Sequence, residues 1–306
     1  MRSAPARGVG TRRSDPVRVY WWSPVRVYRD LAFELKEHPA SWVTLLVRTR
    51  RFMANFGDEL SGVIVGSTLR RRVSWSPPGQ ADLFAIGSIL QIGLREARPG
   101  AAIWGSGLRE GIVPSDGRVD GLHVLALRGE QTRRALGSCE VALGDPAILS
   151  GEVYAQRPRQ RAGISYVPHF TEFASRAGRT FIGRLRDAGL KIIPPSLPAN
   201  DVVYGCASSD VVISSSLHGL VVADALGIPA LPAIPSPPSN EPRFKYTDYE
   251  SIYGVDDAPI EAGGLLSGTL SVSRVSALAD ERRQKVARSI DDRKQALTAA
   301  LESRLL

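Results

Sequence analysis

DVVISSSLHGLVVADALGIP, residues 210–229, is an apolar run, a knot of serines with one histidine, and a second apolar run of different period. Val211, Val212 and Ile213 are apolar on both faces, as a central strand of a parallel sheet requires. Leu217, Val221, Val222 and Leu226 fall on one helical stripe, and Gly227 with Pro229 ends the helix. The serines therefore occupy a strand-to-helix turn. In open α/β sheets that is where ligands bind.

Outward from this stretch the rhythm recurs. VRVYWW (17–22), ADLFAIGS (81–88), AAIWGSG (101–107) and GLHVLALRG (121–129) read as strands, and residues 24–38, 57–70 and 130–137 as helices. In the second half AGISYVPHF (162–170), LKIIPP (190–195) and PALPAI (229–234) are strands, and 171–188 and 200–208 are helices. WVTLLV (42–47) fits a strand or a buried piece of an insertion. Alternation of this kind implies parallel sheets covered by helices. The predicted fold class is α/β, with two Rossmann-like domains facing a cleft. The expected parts are a disordered basic tail (1–16), an N-terminal domain (17–155), a C-terminal domain (156–273) and an outer amphipathic helix (274–306).

With 306 residues, 43% of them hydrophobic, the chain can bury a core for two ordinary domains. No apolar run approaches the roughly 18 residues of a membrane helix. The N-terminal segment is basic and lacks the apolar centre of a secretory signal. Cys139 and Cys206 have no metal spacing and read as reduced cytosolic thiols. The net charge is +8, and residues 1–15, with four arginines against one aspartate, supply +3 of it. A mildly basic body suits nucleic acid, an anionic membrane surface or a phosphorylated substrate. Without an arginine stripe interleaved with aromatics or zinc-finger spacing, nucleic acid is set aside. The tail permits peripheral membrane contact, against the plainer reading of a solvated tail.

Six turns carry residues of chemical interest. Ser215 and Ser216 precede Leu217 and His218 at a helix start, where unpaired amides and the helix dipole favour an anion. The same serines also read as an ordinary cap. Asn55, Gly57 and Asp58 begin the helix at 57–70, as a turn with a cap or as a base and sugar-hydroxyl anchor. Gly105 and Ser106, in WGSG after AIGS (85–88), permit close backbone approach. Arg128 ends a strand and suits a carboxylate or phosphate, while Arg133 and Arg134 read as a solvated face. Asp145 precedes Pro146 in LGDPAIL (143–149), and Lys245 lies in the basic, aromatic loop RFKYTDYE (243–250).

In order, NFGDELS (55–61), AIGSIL (85–90), WGSG (104–107), LALRGEQTRRALG (125–137), GDPAIL (144–149), SSSLHGLVVADALGIP (214–229) and KYTDY (245–249) resemble the polysaccharide pyruvyl transferase family, in its exopolysaccharide ketal-forming type. Many members carry an arginine where this chain has Ser216, so a second cation would come from Arg128, Arg133 or Lys245. The segment between VYWW and NFGD is longer than is usual in the family.

The resemblance implies a GT-B-like architecture, with the N-terminal domain on the acceptor side and the C-terminal domain on the donor side. It implies transfer of pyruvate from phosphoenolpyruvate, as co-substrate, onto two hydroxyls of a saccharide acceptor, lipid-linked or free. The implied product is a cyclic ketal, with no metal or cofactor and no transmembrane segment, in the cytoplasm or at the inner face of its membrane. His218 would transfer a proton or stabilise the leaving phosphate. Asp58 would accept a proton from the acceptor hydroxyl. A nucleotide-sugar glycosyltransferase of GT-B type and a catalytically inactive saccharide-binding relative are the alternatives.

Overall fold

A computed structural model describes residues 15–137, 140–154, 158, 160–238, 242–256 and 258–305. Residues 1–14 of the expected tail, Cys139, and the expected boundary at 155/156 lie outside the described residues.

The first half runs β1 (Val17–Tyr20), α1 (Tyr28–Glu37), α2 (Pro39–Thr49), α3 (Phe56–Leu69), β2 (Val73–Trp75), β3 (Leu83–Phe84), α4 (Leu90–Glu96), β4 (Ala102–Trp104), β5 (His123–Leu127), α5 (Glu130–Ala135), β6 (Ala142–Leu143) and α6 (Ser150–Val153). Its strands form one parallel sheet in the order β2-β1-β3-β4-β5-β6. The second half runs β7 (Ile164–Val167), α7 (Arg176–Asp187), β8 (Lys191–Ile192), α8 (Ala199–Ala207), β9 (Val211–Ser214), α9 (Leu217–Ala225) and β10 (Ala230–Pro232). These strands form a second parallel sheet, β10-β9-β7-β8. Helices α10 (Phe244–Glu250), α11 (Gly264–Ser267), α12 (Val272–Ala287) and α13 (Ile290–Leu305) complete the described chain.

The α/β class and the parallel sheets agree with the sequence. Counted from its own first strand, the first sheet has the order 2-1-3-4-5-6 and the second 2-1-3-4. The connections therefore change direction between β1 and β3, and again between β7 and β9. Such switch points open a crevice at the carboxyl ends of the strands. At the second one Val167 pairs with Ser214, so the two chain exits stand side by side.

Strands β2 and β6 and helix α4 have no counterpart in the sequence reading, and three other elements differ from expectation. Residues 42–47 belong to helix α2, which starts on Pro39 and buries Trp42 and Leu45, one turn apart. Residues 244–250 form α10 and not a loop. Its inner face mixes Tyr246 and Tyr249 with Lys245, Asp248 and Glu250, so a hydrophobic-period test misses it. From Arg274 onward there are two helices, and they are not merely external. α12 packs on the second sheet, and α13 crosses back to cover the first, burying Leu297 and Leu301.

One apolar core joins the halves. It holds Phe56, Leu60 and Ile64 of α3, Val202 and Val203 of α8, Leu220 and Val221 of α9, and Leu297 of α13. Cys206, a buried free thiol, belongs to the same core, and burial pushes its pKa up to about 12. Arg282 of α12 is fully buried and binds Asp224 of α9 and Glu250 of α10, with Nη1–Oδ1 at 2.7 Å and Nε–Oε1 at 3.1 Å. It fastens the far ends of the two helices whose near ends reach the cleft.

Candidate active site

Both switch points open on one cleft of about 310 Å³. From the first sheet come Trp22, beyond β1, and Ser88 and Ile89, beyond β3. From the second come His169 and Phe170, beyond β7, and Ser216, Leu217 and His218, beyond β9. Asn55 and Asp58 at the start of α3, Lys245 of α10, Arg109 and the α1 residues Phe33 and Glu34 close the walls. Asn55 caps α3 by accepting from the Gly57 amide at 3.2 Å. That bond turns the first carboxylate of the helix, Asp58, toward the cleft.

His218 is held from both sides. Its Nε2 stands 3.7 Å from Asp145 Oδ2, too far for a hydrogen bond, and both atoms are buried without a partner. The ring edge bearing Nδ1 lies over Gly57, where a Cβ would overlap Nδ1 and Cγ, so only glycine fits beneath the imidazole. Phe56 meets the ring edge-on at 6.4 Å. Burial pushes His218 down to about 3, with the charges of Lys245 and Arg128 acting the same way, so the imidazole is neutral at pH 7.

Asp58 moves in the opposite direction. Burial pushes it up to about 8, against the pull of Lys245. Burial thus favours the protonated form of the residue expected to accept a proton. Asp145 is also raised by burial, to about 6, although its Oδ1 accepts from the Ala147 amide at 3.0 Å. His218 and Asp58 both line the cleft, and burial pushes them in opposite senses, the imidazole toward its neutral form and the carboxyl toward its protonated form.

The N-terminus of α9 has no side-chain cap: Ser216 stands at the cap position without bonding a helix amide. The first amides are left for an anion. Lys245, buried and on the cleft wall, is the nearby cation. Of the expected site residues, Asn55, Asp58, Ser216, Leu217, His218 and Lys245 line the cleft together.

The other expected residues stand behind the wall. Arg128 is 0% exposed and fully engaged, donating to Asp248 Oδ2 at 2.9 Å, Ser88 Oγ at 2.7 Å and Leu108 O at 2.6 Å. Those bonds tie it to Ser88 and α10 behind the cleft wall. Gly105, at φ +78°, lies against Pro146, and Ser106 donates to Gly87 O at 3.0 Å. Ser215 is buried and donates to Glu172 Oε2 at 2.5 Å, in a cluster with Tyr166 and the His169 amide. Gly57 and Asp145 act through His218, as above. Arg133 pairs with Glu130, in keeping with the solvated face expected of it.

His169 and Arg109 are cleft residues that the sequence reading passed over. His169 follows β7 as His218 follows β9, so the strand-end rule applied to VPHF would have found it. Trp22, beyond β1, falls under the same rule; Phe33 and Glu34 of α1 and His38 after it carry no such signal, because α1 reaches the cleft only through packing. Among the described residues no three His, Cys, Asp or Glu side chains come together as metal ligands. No helix there is long and apolar enough to cross a membrane.

The fold and the site thus define an α/β protein in which two parallel sheets share one acid–base cleft beside an uncapped helix start. Residues 121–236 match the family model described as polysaccharide pyruvyl transferase. The chain is also 26% identical over 207 residues to the succinoglycan biosynthesis protein ExoV of Rhizobium meliloti (strain 1021). That alignment covers 67% of this chain and 63% of the relative, so the match spans less than two thirds of the relative's length. Both findings support a polysaccharide pyruvyl transferase family member, and the family match includes the motifs at 125–137, 144–149 and 214–229. The matched segment contains Asp145, His169 and His218; Asn55, Asp58 and Lys245 lie outside it.

Proposed function

We propose that this cleft transfers the pyruvyl group of phosphoenolpyruvate onto two hydroxyls of one sugar, in a polysaccharide or its precursor, within a GT-B-like frame. The observation that carries the reading is the meeting of His218, Asp58 and Lys245 in one cleft with the uncapped start of α9. The donor carries a phosphate and a carboxylate. Lys245 meets one and the α9 amides the other. A cleft of about 310 Å³ is at the small end for ligand sites and favours this donor over a nucleotide sugar.

Asp58 gives its proton to the methylene carbon, leaving an oxocarbenium-like centre. A sugar hydroxyl adds there and passes its proton to His218, which hands it to the phosphate as the carbon–oxygen bond breaks. The second hydroxyl closes the ketal and returns a proton to Asp58. Of the two hydroxyl protons, one ends in the new methyl group and one on phosphate. Donor charge in the cleft raises the proton affinity of His218 when it is needed.

The test is incubation with phosphoenolpyruvate and a panel of hexosides. Phosphate release matched by a product with the added mass of a pyruvate ketal is expected. Nucleotide release from a nucleotide sugar, with phosphoenolpyruvate untouched, would overturn the reading.

A further inference from the structure

A second surface adjoins the cleft. On their inner sides α1 and α2 are anchored: Trp42 stacks on Phe170 at 5.0 Å, and its Nε1 donates to Glu34 at 2.8 Å. Their outer sides are apolar. Tyr28 is 85% exposed and Leu35, two turns on, 47%; Val43 is 58% exposed and Val47, one turn on, 78%. Leu46 of α2 and Phe52 just after it are also exposed, at 38% and 40%. A surface helix ordinarily turns polar residues outward, and contiguous exposed apolar faces mark interaction sites. The same segment carries Arg26, Lys36, Arg48 and Arg50, all exposed. Its acids are fewer: Glu34 points inward to Trp42, Asp30 is half-buried, and Glu37 is exposed beside Lys36 at 3.6 Å.

We propose that the outer face of the α1–α2 pair docks on an anionic membrane surface. The patch combines exposed aromatic and branched side chains with a basic rim, the pattern of a helix lying in a lipid interface. A second copy of the chain, at net charge +8, would set this rim against its like. A bilayer with anionic headgroups offers opposite charge to the rim and hydrocarbon to Tyr28, Val43 and Val47. The opposite side of α1 supplies Phe33 and Glu34 to the cleft. Docking would thus bring the active site to an acceptor carried by the membrane; that consequence rests on the proposed function, whereas docking does not.

The test is flotation of the full chain with vesicles of two parts phosphatidylcholine to one part phosphatidylglycerol, without phosphoenolpyruvate. Wild type should bind, and binding should weaken with salt. Tyr28→Ser with Val43→Ser and Val47→Ser should bind about tenfold or more weakly, with an unchanged unfolding midpoint. Lys36→Gln with Arg26→Gln should weaken binding and flatten its salt dependence. Full binding by the triple variant would overturn the proposal, since the basic N-terminal segment is common to both chains. A wild-type dimer that the triple variant dissolves, without vesicle binding, would assign the face to a second copy instead.

Discussion

His218 and Asp58 are separated in proton affinity by their surroundings, and this separation gives each a role. His218→Ala should lower turnover by about 10²–10⁴-fold while circular dichroism and the unfolding midpoint hold. Near-normal phosphate release from that variant would remove the histidine from the mechanism. Asp58 is raised to about 8, so between about pH 4 and that value the folded chain keeps a proton that the unfolded chain has lost. Its contribution to stability therefore falls as pH rises through that window. Asp58→Asn should lose turnover yet gain stability relative to wild type as pH rises from about 4 to about 8, read by urea unfolding at several pH values. Parallel stability curves would mean that the carboxyl is not held protonated.

At the scale of elements, the two cations are separated by their placement. Lys245, on the cleft wall, is the proposed donor anchor, and Lys245→Met should raise the Michaelis constant for phosphoenolpyruvate by about 10–100-fold. Arg128 is the internal brace between β5 and α10. Arg128→Met should instead cost roughly 3–5 kcal/mol of stability, because Asp248 is left buried with its charge uncompensated. The two effects are read separately, by donor kinetics and by denaturant unfolding. Gly57→Ala tests the seam between α3 and α9. The added Cβ displaces the His218 ring, so turnover should fall about 10²-fold in a folded protein. Most strands and the helices that follow them were legible from period and turn residues; β2, β6 and α4 were not. Helix α10 was not, because its buried face is paired polar groups as much as hydrocarbon.

At the scale of the molecule, the halves share the core around α3, α8, α9 and α13. Heat unfolding should therefore show one transition with equal calorimetric and van't Hoff enthalpies. Two separated transitions would contradict a common core. The last helix belongs to both ends of the chain: Trp104 of β4 donates through Nε1 to Leu297 O at 2.8 Å. Removing residues 289–306 should abolish the near-ultraviolet tryptophan signal and cause aggregation, because the apolar face of the first sheet is uncovered.

The sequence by itself determined the α/β class, the strand-to-helix turns and the ordered motifs, including His218, Asp58 and Lys245. Hydrophobic period and turn chemistry are local, so they can be read along the chain. Only the tertiary structure decided which turn residues meet. It buried Arg128, Ser215 and Ser106 in supporting hydrogen bonds and brought His169, Arg109 and α1 to the cleft. Burial there also pushes the Asp58 carboxyl toward its protonated form. Contact and desolvation depend on residues far apart in the chain, and no local pattern records them.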